Sequence, residues 1–183
     1  PMNSSAASDV YKRQIPDPET LPVSLEETVA GDSLPVLNLI IGSNRNESLM
    51  YIPEGAELTD YLEGYFPPEN WEDIKAMLGA DLSELAQMDR LRSALRYTCP
   101  SLSLAQAAQE AGGSAYVYRF DRMRESFEAI GAYHGAELPY VFDTHDPWMP
   151  TNAIDHQITD AAVDYWIAFL TTGSPNESQS GHT

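Results

Sequence analysis

Apolar residues concentrate in two compact runs, and between and after them they recur at helical spacing. Leu34 to Ile41 (LPVLNLII) is a partly β-branched run bounded by turn residues. It predicts a strand buried on both faces of a parallel sheet, ended by Gly42. Ser114 to Phe120 (SAYVYRF) is aromatic and β-branched, which predicts a second, interior strand. Between them, Tyr51 to Pro68 mixes aromatic residues with Gly and Pro and reads as irregular. Asn70 is placed to cap a helix through Leu78, stopped by Gly79. Asp81 and Glu84 have capping-box spacing ahead of a stripe of Leu82, Leu85, Met88, Leu91 and Leu95. A further helix is expected from Ser103 to Glu110, ending at Gly112-Gly113. Upstream, Ile15 to Pro22 reads as extended, and Ser24 to Ala30 as a helical turn stopped by Gly31. The last helix is expected from Thr159 to Thr172, burying Val163, Trp166, Phe169 and Leu170. Gly173 is its stop, and Pro175 follows.

Strand, helical excursion, strand, loop, helix is an α/β order. Two strands cannot make the sheet that this apolar content implies, so the chain reads as part of a larger sheet with its other strands encoded upstream. Residues 1–14 are small, polar and aperiodic, then basic. The run Asp9 to Gln14 (DVYKRQ) resembles translated sequencing-adaptor DNA and is set aside from fold reasoning. The expected organisation is therefore a segment 1–14 outside the fold, a partial α/β domain over 15–176, and a disordered tail over 177–183.

Charge narrows the partners. The 28 acidic against 10 basic residues give a net −18, which repels phosphate backbones and argues against nucleic acid. The same charge fits either a solvated acidic surface or attraction of cationic substrates. The sequence contains no apolar run long enough to span a membrane. Cys99 is the single cysteine and cannot form an internal disulfide.

The chemistry concentrates in two segments, each just after a predicted strand, where catalytic groups of such sheets gather. Ile40 to Ser48 (IIGSNRNES) presents Glu47 in a turn. Gly131 to Phe142 (GAYHGAELPYVF) presents His134 on a Gly-flanked turn, with Glu137 three residues on. A carboxylate that orients an imidazole, followed in the chain by that imidazole, is the second and third part of a hydrolytic triad. Further segments join the pattern: Cys99-Pro100 ahead of a helix, AYVYRF with Asp121, and VDYWIAFLTTGSPN (Val163 to Asn176).

Together these segments, from Ile15 to Asn176, resemble the type-B carboxylesterases, the cholinesterase- and para-nitrobenzyl-esterase-like branch of the α/β-hydrolases. The resemblance implies the C-terminal part of that fold: the last strands, a helical excursion, a histidine loop and a C-terminal helix. It implies that Glu47 is the catalytic acid and His134 the general base, and that Glu137 is a buried glutamate backing the histidine. Two positions depart from the family turn: Asn46 stands where Asp is common, and Ser48 where Gly is common. Ser48 raises the expectation of a changed turn, since Gly tolerates positive φ and Ser does not. Related enzymes with disulfides pair a cysteine near Cys99 with a later one that is absent here, so Cys99 is expected to be a buried thiol.

No Gly-x-Ser-x-Gly elbow occurs in the sequence, and no Gly-rich oxyanion loop. The resemblance therefore implies carboxylic ester hydrolysis by a Ser-Glu-His triad in the intact enzyme. This chain would hold the acid and base, lack the nucleophile and be inactive alone. The implied partner is a small-molecule ester, with no cofactor. The alternative is a non-catalytic cholinesterase-like adhesion or binding module. His134, Asp143, His145, Asp146, Asp155 and His156 are dense enough to raise a metal site, but they lack tight ligand spacing, and no metal is expected. A Cys99–His134 thiol pair is disfavoured by Pro100 and by the lack of an activating helix N-terminus.

Overall fold

The structure, a computed structural model, describes residue 19 and residues 23–31 and 34–177. The segment 1–14 and the tail beyond Glu177 lie outside the described residues, as does all of the 15–22 stretch except residue 19.

In chain order the elements are α1 (Leu25–Ala30), β1 (Asn38–Asn44), α2 (Leu58–Tyr65), α3 (Trp71–Gly79), α4 (Glu84–Ser93), α5 (Cys99–Glu110), β2 (Ser114–Phe120), α6 (Leu138–Val141) and α7 (Ala153–Thr172). Short 3-10 turns cover Leu49–Tyr51 and Pro68–Asn70, and a π turn over Ala94–Thr98 fuses α4 to α5. β1 and β2 pair in parallel, from Asn38 opposite Ser114 to Asn44 opposite Phe120, with α2 to α5 forming the crossover.

β1 sits further along the chain than its apolar run. Val36 and Leu37 precede the strand and are exposed, and only Ser43 and Asn44 within it are buried. Gly42 does not end the strand but lies inside it. A Cβ there would meet the Tyr118 carbonyl oxygen at 2.4 Å and its ring at 2.5 Å, so glycine is what lets the two strands pair at this point. Alternation along β2 puts Tyr116, Tyr118 and Phe120 on one face. They pack edge-on against Phe169 and Trp166 and tilted against Tyr140, at 6.0, 5.3 and 4.9 Å between ring centroids. Val117 points away and is exposed, so the interior position expected for β2 does not hold within the described two-stranded sheet.

The main apolar cluster lies in the crossover: Leu58 and Leu62 of α2, Ile74 and Leu78 of α3, and Met88 and Leu91 of α4. The stretch read as irregular thus contains α2, whose Leu58 and Leu62 share one face at i, i+4 spacing. Packing against α3 and α4 stabilises a helix too short to stand alone. Leu85, assigned to the buried stripe, is exposed. The cap of α4 is Ser83, whose hydroxyl accepts from Ala86 N, rather than Asp81. Glu84 instead accepts from Leu58 N at 2.9 Å, joining the starts of α2 and α4.

α5 begins at Cys99 rather than Ser103, because the π turn carries the helical backbone from α4 directly into it, with Cys99 N–H bonded to Ala94 O and Pro100 just after the junction. Cys99 is exposed, not buried. α7 begins six residues earlier than its apolar stripe suggests. Asn152 caps it, accepting from Ile154 N and Asp155 N, and Asp155 closes a capping box back to Asn152 N. Its buried residues are Asp155, Thr159 and Ala168, while Leu170 is exposed. Gly173, at φ +80, ends it as expected.

Candidate active site

β1 and β2 end side by side, and the turn after each reaches toward the other. Asn46 joins them. Its N–H donates to Ala132 O at 3.0 Å, and its Oδ1 accepts from Ala132 N at 3.1 Å. Its Nδ2 donates to Asp89 Oδ2 of α4 at 2.8 Å. Asp89 is buried, and its other oxygen accepts from Ser48 N and the Ser93 hydroxyl. An aspartate at position 46 would turn a second carboxylate toward Asp89, so asparagine here and Asp89 form a matched pair. Ser48 has φ −112, an ordinary right-handed conformation, so replacing glycine leaves no backbone strain in this turn.

Gly131 opens the histidine loop at φ +63, and a Cβ there would lie 2.2 Å from Asn46 Oδ1. Gly131→Ala is therefore expected to destabilise the fold by more than the ~1–2 kcal/mol of a left-handed alanine, because it also displaces Asn46. Urea unfolding midpoints of the two proteins measure this, and equal midpoints would refute it.

This cross-linking brings the two predicted residues together. Glu47 Oε2 lies 2.6 Å from His134 Nδ1, across a separation of 87 positions. Glu47 is 5% exposed, and its Oε1 accepts from Asn44 N at 2.6 Å. The His134 side chain is 43% exposed. With Nδ1 donating to a carboxylate, the neutral ring carries its lone pair on Nε2. Among the described residues no hydrogen bond engages that atom. The ring packs against Tyr97 and Tyr51, at 5.1 and 6.4 Å. Tyr97 is on the π turn, whose neighbour Thr98 shares a hydrogen bond with Ser43 at 3.0 Å. Burial raises the Tyr97 phenol pKa, and the nearby Glu47 charge adds to the shift. Burial, then the charges of Glu137 and Glu47, push Tyr118 up to about 12.

Glu137 is half-buried rather than buried, and it does not bond the imidazole. It accepts from the Asn44 carboxamide, which also donates to Tyr133 O at 2.7 Å. The third predicted residue thus stands behind the pair, reaching it through Asn44. Asn44, Asp89 and Tyr97 escape sequence reading. Asp89 had one visible sign, an acid beside Met88 in a helix otherwise expected to bury that side. A cleft of about 460 Å³ opens beside the acid turn, lined in part by Asn44, Asn46 and Asp89, but neither Glu47 nor His134 lines it.

The histidine loop is anchored to α7 by a second polar network. Arg122 grips Asp155 with Nε at 2.8 Å and Nη2 at 3.2 Å, and Tyr140 OH donates to the same carboxylate at 2.6 Å. Arg124 donates to Thr151 Oγ1, Pro150 O and His145 Nδ1, and lies over the Tyr140 ring. His145 Nε2 meets Thr159 Oγ1 at 2.7 Å, and that hydroxyl donates to Asp155 O. Of the residues raised as metal ligands, His134 thus belongs to the first network and His145 and Asp155 to the second. Among the described residues no group of three His, Cys, Asp or Glu is placed to hold a metal. Cys99 is not among the partners of His134, and the π turn runs straight into α5, so Cys99 sits at no free helix N-terminus.

Three comparisons give this geometry a context. The profile of the Carboxylesterase family matches residues 11–183. Para-nitrobenzyl esterase of Bacillus subtilis (strain 168) is 25% identical over 174 residues, covering 87% of this chain and 34% of that protein. Secreted lipase 5 of Gibberella zeae is 25% identical over 167 residues, covering 85% of this chain and 27% of that protein. The chain therefore spans about a third or less of the length of these relatives. Among solved structures, Aspergillus niger EstA superposes with a TM-score of 0.75 at 17% identity, over 93% of this chain and 37% of its own. A PNB esterase structure gives 0.66 at 25% identity, over 87% and 34%. The parallel strand pair, its helical crossover and the histidine loop are thus part of an α/β-hydrolase fold, and the chain belongs to the carboxylesterase family.

Proposed function

We propose that this chain carries the acid and base of a Ser-Glu-His triad that hydrolyses carboxylic esters, and that the nucleophilic serine comes from a part of the enzyme outside this sequence. The observation that carries the reading is the 2.6 Å contact between buried Glu47 and His134 Nδ1, with Nε2 left open at the surface. Nε2 would take the proton of the serine hydroxyl as its oxygen attacks the ester carbonyl, forming a C–O bond and a tetrahedral oxyanion. Glu47 would stabilise the imidazolium so formed. As the oxyanion collapses, the ester C–O bond breaks and Nε2–H protonates the leaving alcohol, giving an acyl-enzyme. Water, deprotonated by the same Nε2, would then add to the acyl carbonyl; as that tetrahedral oxyanion collapses, the bond to the serine oxygen breaks, Nε2–H returns the proton to it, and the carboxylic acid leaves. Glu137 backs the pair, and the crossover helices from Tyr51 to Gly112 wall the acyl or alcohol pocket. The names of the relatives, an esterase and a lipase, agree with an ester substrate.

The test is the contiguous upstream reading frame. It is expected to encode a Gly-x-Ser-x-Gly elbow, and its product to hydrolyse short-chain nitrophenyl esters, while the 183-residue chain alone does not. A Gly or Ala at the elbow, with no esterase activity, would support the binding-module alternative instead.

A further inference from the structure

We infer that Asn44 is the positioning residue of the acid–imidazole pair, an inference that rests on the reading of Glu47 and His134 given above. Asn44 is the last residue of β1 and is 3% exposed. Three of its N–H hydrogens, one on the backbone and two on the carboxamide, reach three parts of the site. Its N–H donates to Glu47 Oε1 at 2.6 Å, fixing the carboxylate so that the opposite oxygen faces the imidazole. One carboxamide hydrogen goes to Tyr133 O at 2.7 Å, the carbonyl of the peptide unit that leads into His134. The other goes to Glu137 Oε2, on the far side of the histidine turn. A single strand-end residue therefore sets the distance between acid and base from both sides.

The partners dictate the residue type. Tyr133 O and Glu137 are acceptors, so the position needs two donors on a short stem. Aspartate has none when ionised and would add a third carboxylate beside Glu47 and Glu137. Serine has one donor, leucine has none, and glutamine would overshoot by a methylene. The same partners settle the amide orientation, since the flipped form would face Oδ1 to both acceptors. Oδ1 itself is buried with no partner among the described residues, a cost the position bears while both donors are engaged. Both loops hang from this one residue, so its loss should move the His134 backbone and the Glu47 carboxylate relative to each other. Small displacements of catalytic groups have large effects on rate.

The experiment uses the protein expressed from the full reading frame and two readouts that need no esterase activity. The first is the low-field proton resonance of His134 Nδ1–H, assigned by its disappearance in His134→Ala. Asn44→Leu, which keeps the backbone N–H and the side-chain size but removes both donors, is expected to broaden or abolish this resonance in a folded protein. The second is measured on the unmutated protein and stands even where the variant fails to fold. Both Asn44 carboxamide protons are expected to resist solvent exchange and to show through-space coupling to the residue 133–137 turn. An unchanged His134 resonance in folded Asn44→Leu, or freely exchanging Asn44 carboxamide protons, overturns the inference. An inactive enzyme with these signatures intact would overturn the esterase reading and leave the assignment of Asn44 standing.

Discussion

Replacing His134 by alanine is expected to lower kcat on nitrophenyl esters by roughly 10⁵- to 10⁶-fold in the complete enzyme, because a triad acts as a unit and loses nearly all its covalent catalysis with its base. The base moves a proton rather than holding the ester in place, so KM should change little. Glu47→Gln should cost less, about 10⁴-fold. It leaves a side chain of the same shape beside His134 Nδ1 but removes the charge that stabilises the imidazolium and selects the Nδ1–H tautomer. The ordering of the two effects separates base from orienting acid. Single-turnover and steady-state kinetics measure both, and a His134→Ala enzyme within tenfold of the parent would sink the assignment.

The largest stability effect is expected at Asp155. The residue is 1% exposed, and its carboxylate holds the Arg122 guanidinium, the Tyr140 hydroxyl and the N-cap of α7 together. Asp155→Ala strands a half-buried guanidinium and a buried phenol, and should cost about 3–5 kcal/mol in urea unfolding. Asp121, paired with Arg45 at 3.1 Å on the surface, is the control, and its loss should cost no more than about 1 kcal/mol. Equal effects at the two sites would refute the account.

Acid should weaken the same anchor in two stages. Burial, then the adjacent Arg124 charge, lowers the His145 pKa, consistent with a neutral ring that accepts from Arg124 through Nδ1. The unfolded chain therefore takes up a proton that the folded one refuses. Stability should be at its plateau above the free-histidine value of about 6.5 and fall as the pH drops below it. Burial pushes the Asp155 carboxyl up, but the bonds from Arg122, Tyr140 and Asn152 outweigh it and hold it well below the usual carboxylate range. Its contribution should persist above the ordinary value of about 3.9 and be lost as the pH falls through and below it. His145→Gln should remove the first stage only, which urea melts at pH 7, 5.5 and 4 would show.

Elements whose cause is local were legible in the sequence. The α1 turn follows Ser24 and its capping-box partner Glu27, two residues three positions apart that bond each other. Gly173 ends α7 through its own backbone freedom. β2 was read at its full extent because its bulky side chains favour a pleated strand on their own. Boundaries set at a distance were misread. β1 shifted because Gly42 must lie under Tyr118, and α2 was missed because its stability comes from α3 and α4. Leu170 and Leu85 were assigned to buried faces by periodicity alone, which marks a helix face without saying whether a neighbour covers it.

The same division holds at the site. By itself the sequence determined that an acid and an imidazole follow two successive strands, since residue type and chain order are properties of the chain. Only the tertiary structure decided that Glu47 meets His134 at 2.6 Å, that Asn44 rather than Glu137 touches the acid, and that Asp89 holds the turn between them. Apart from the Asn44–Glu47 bond, which spans three positions, these contacts join residues tens of positions apart, and their free energy appears only once parallel pairing of β1 and β2 has brought the two strand ends together.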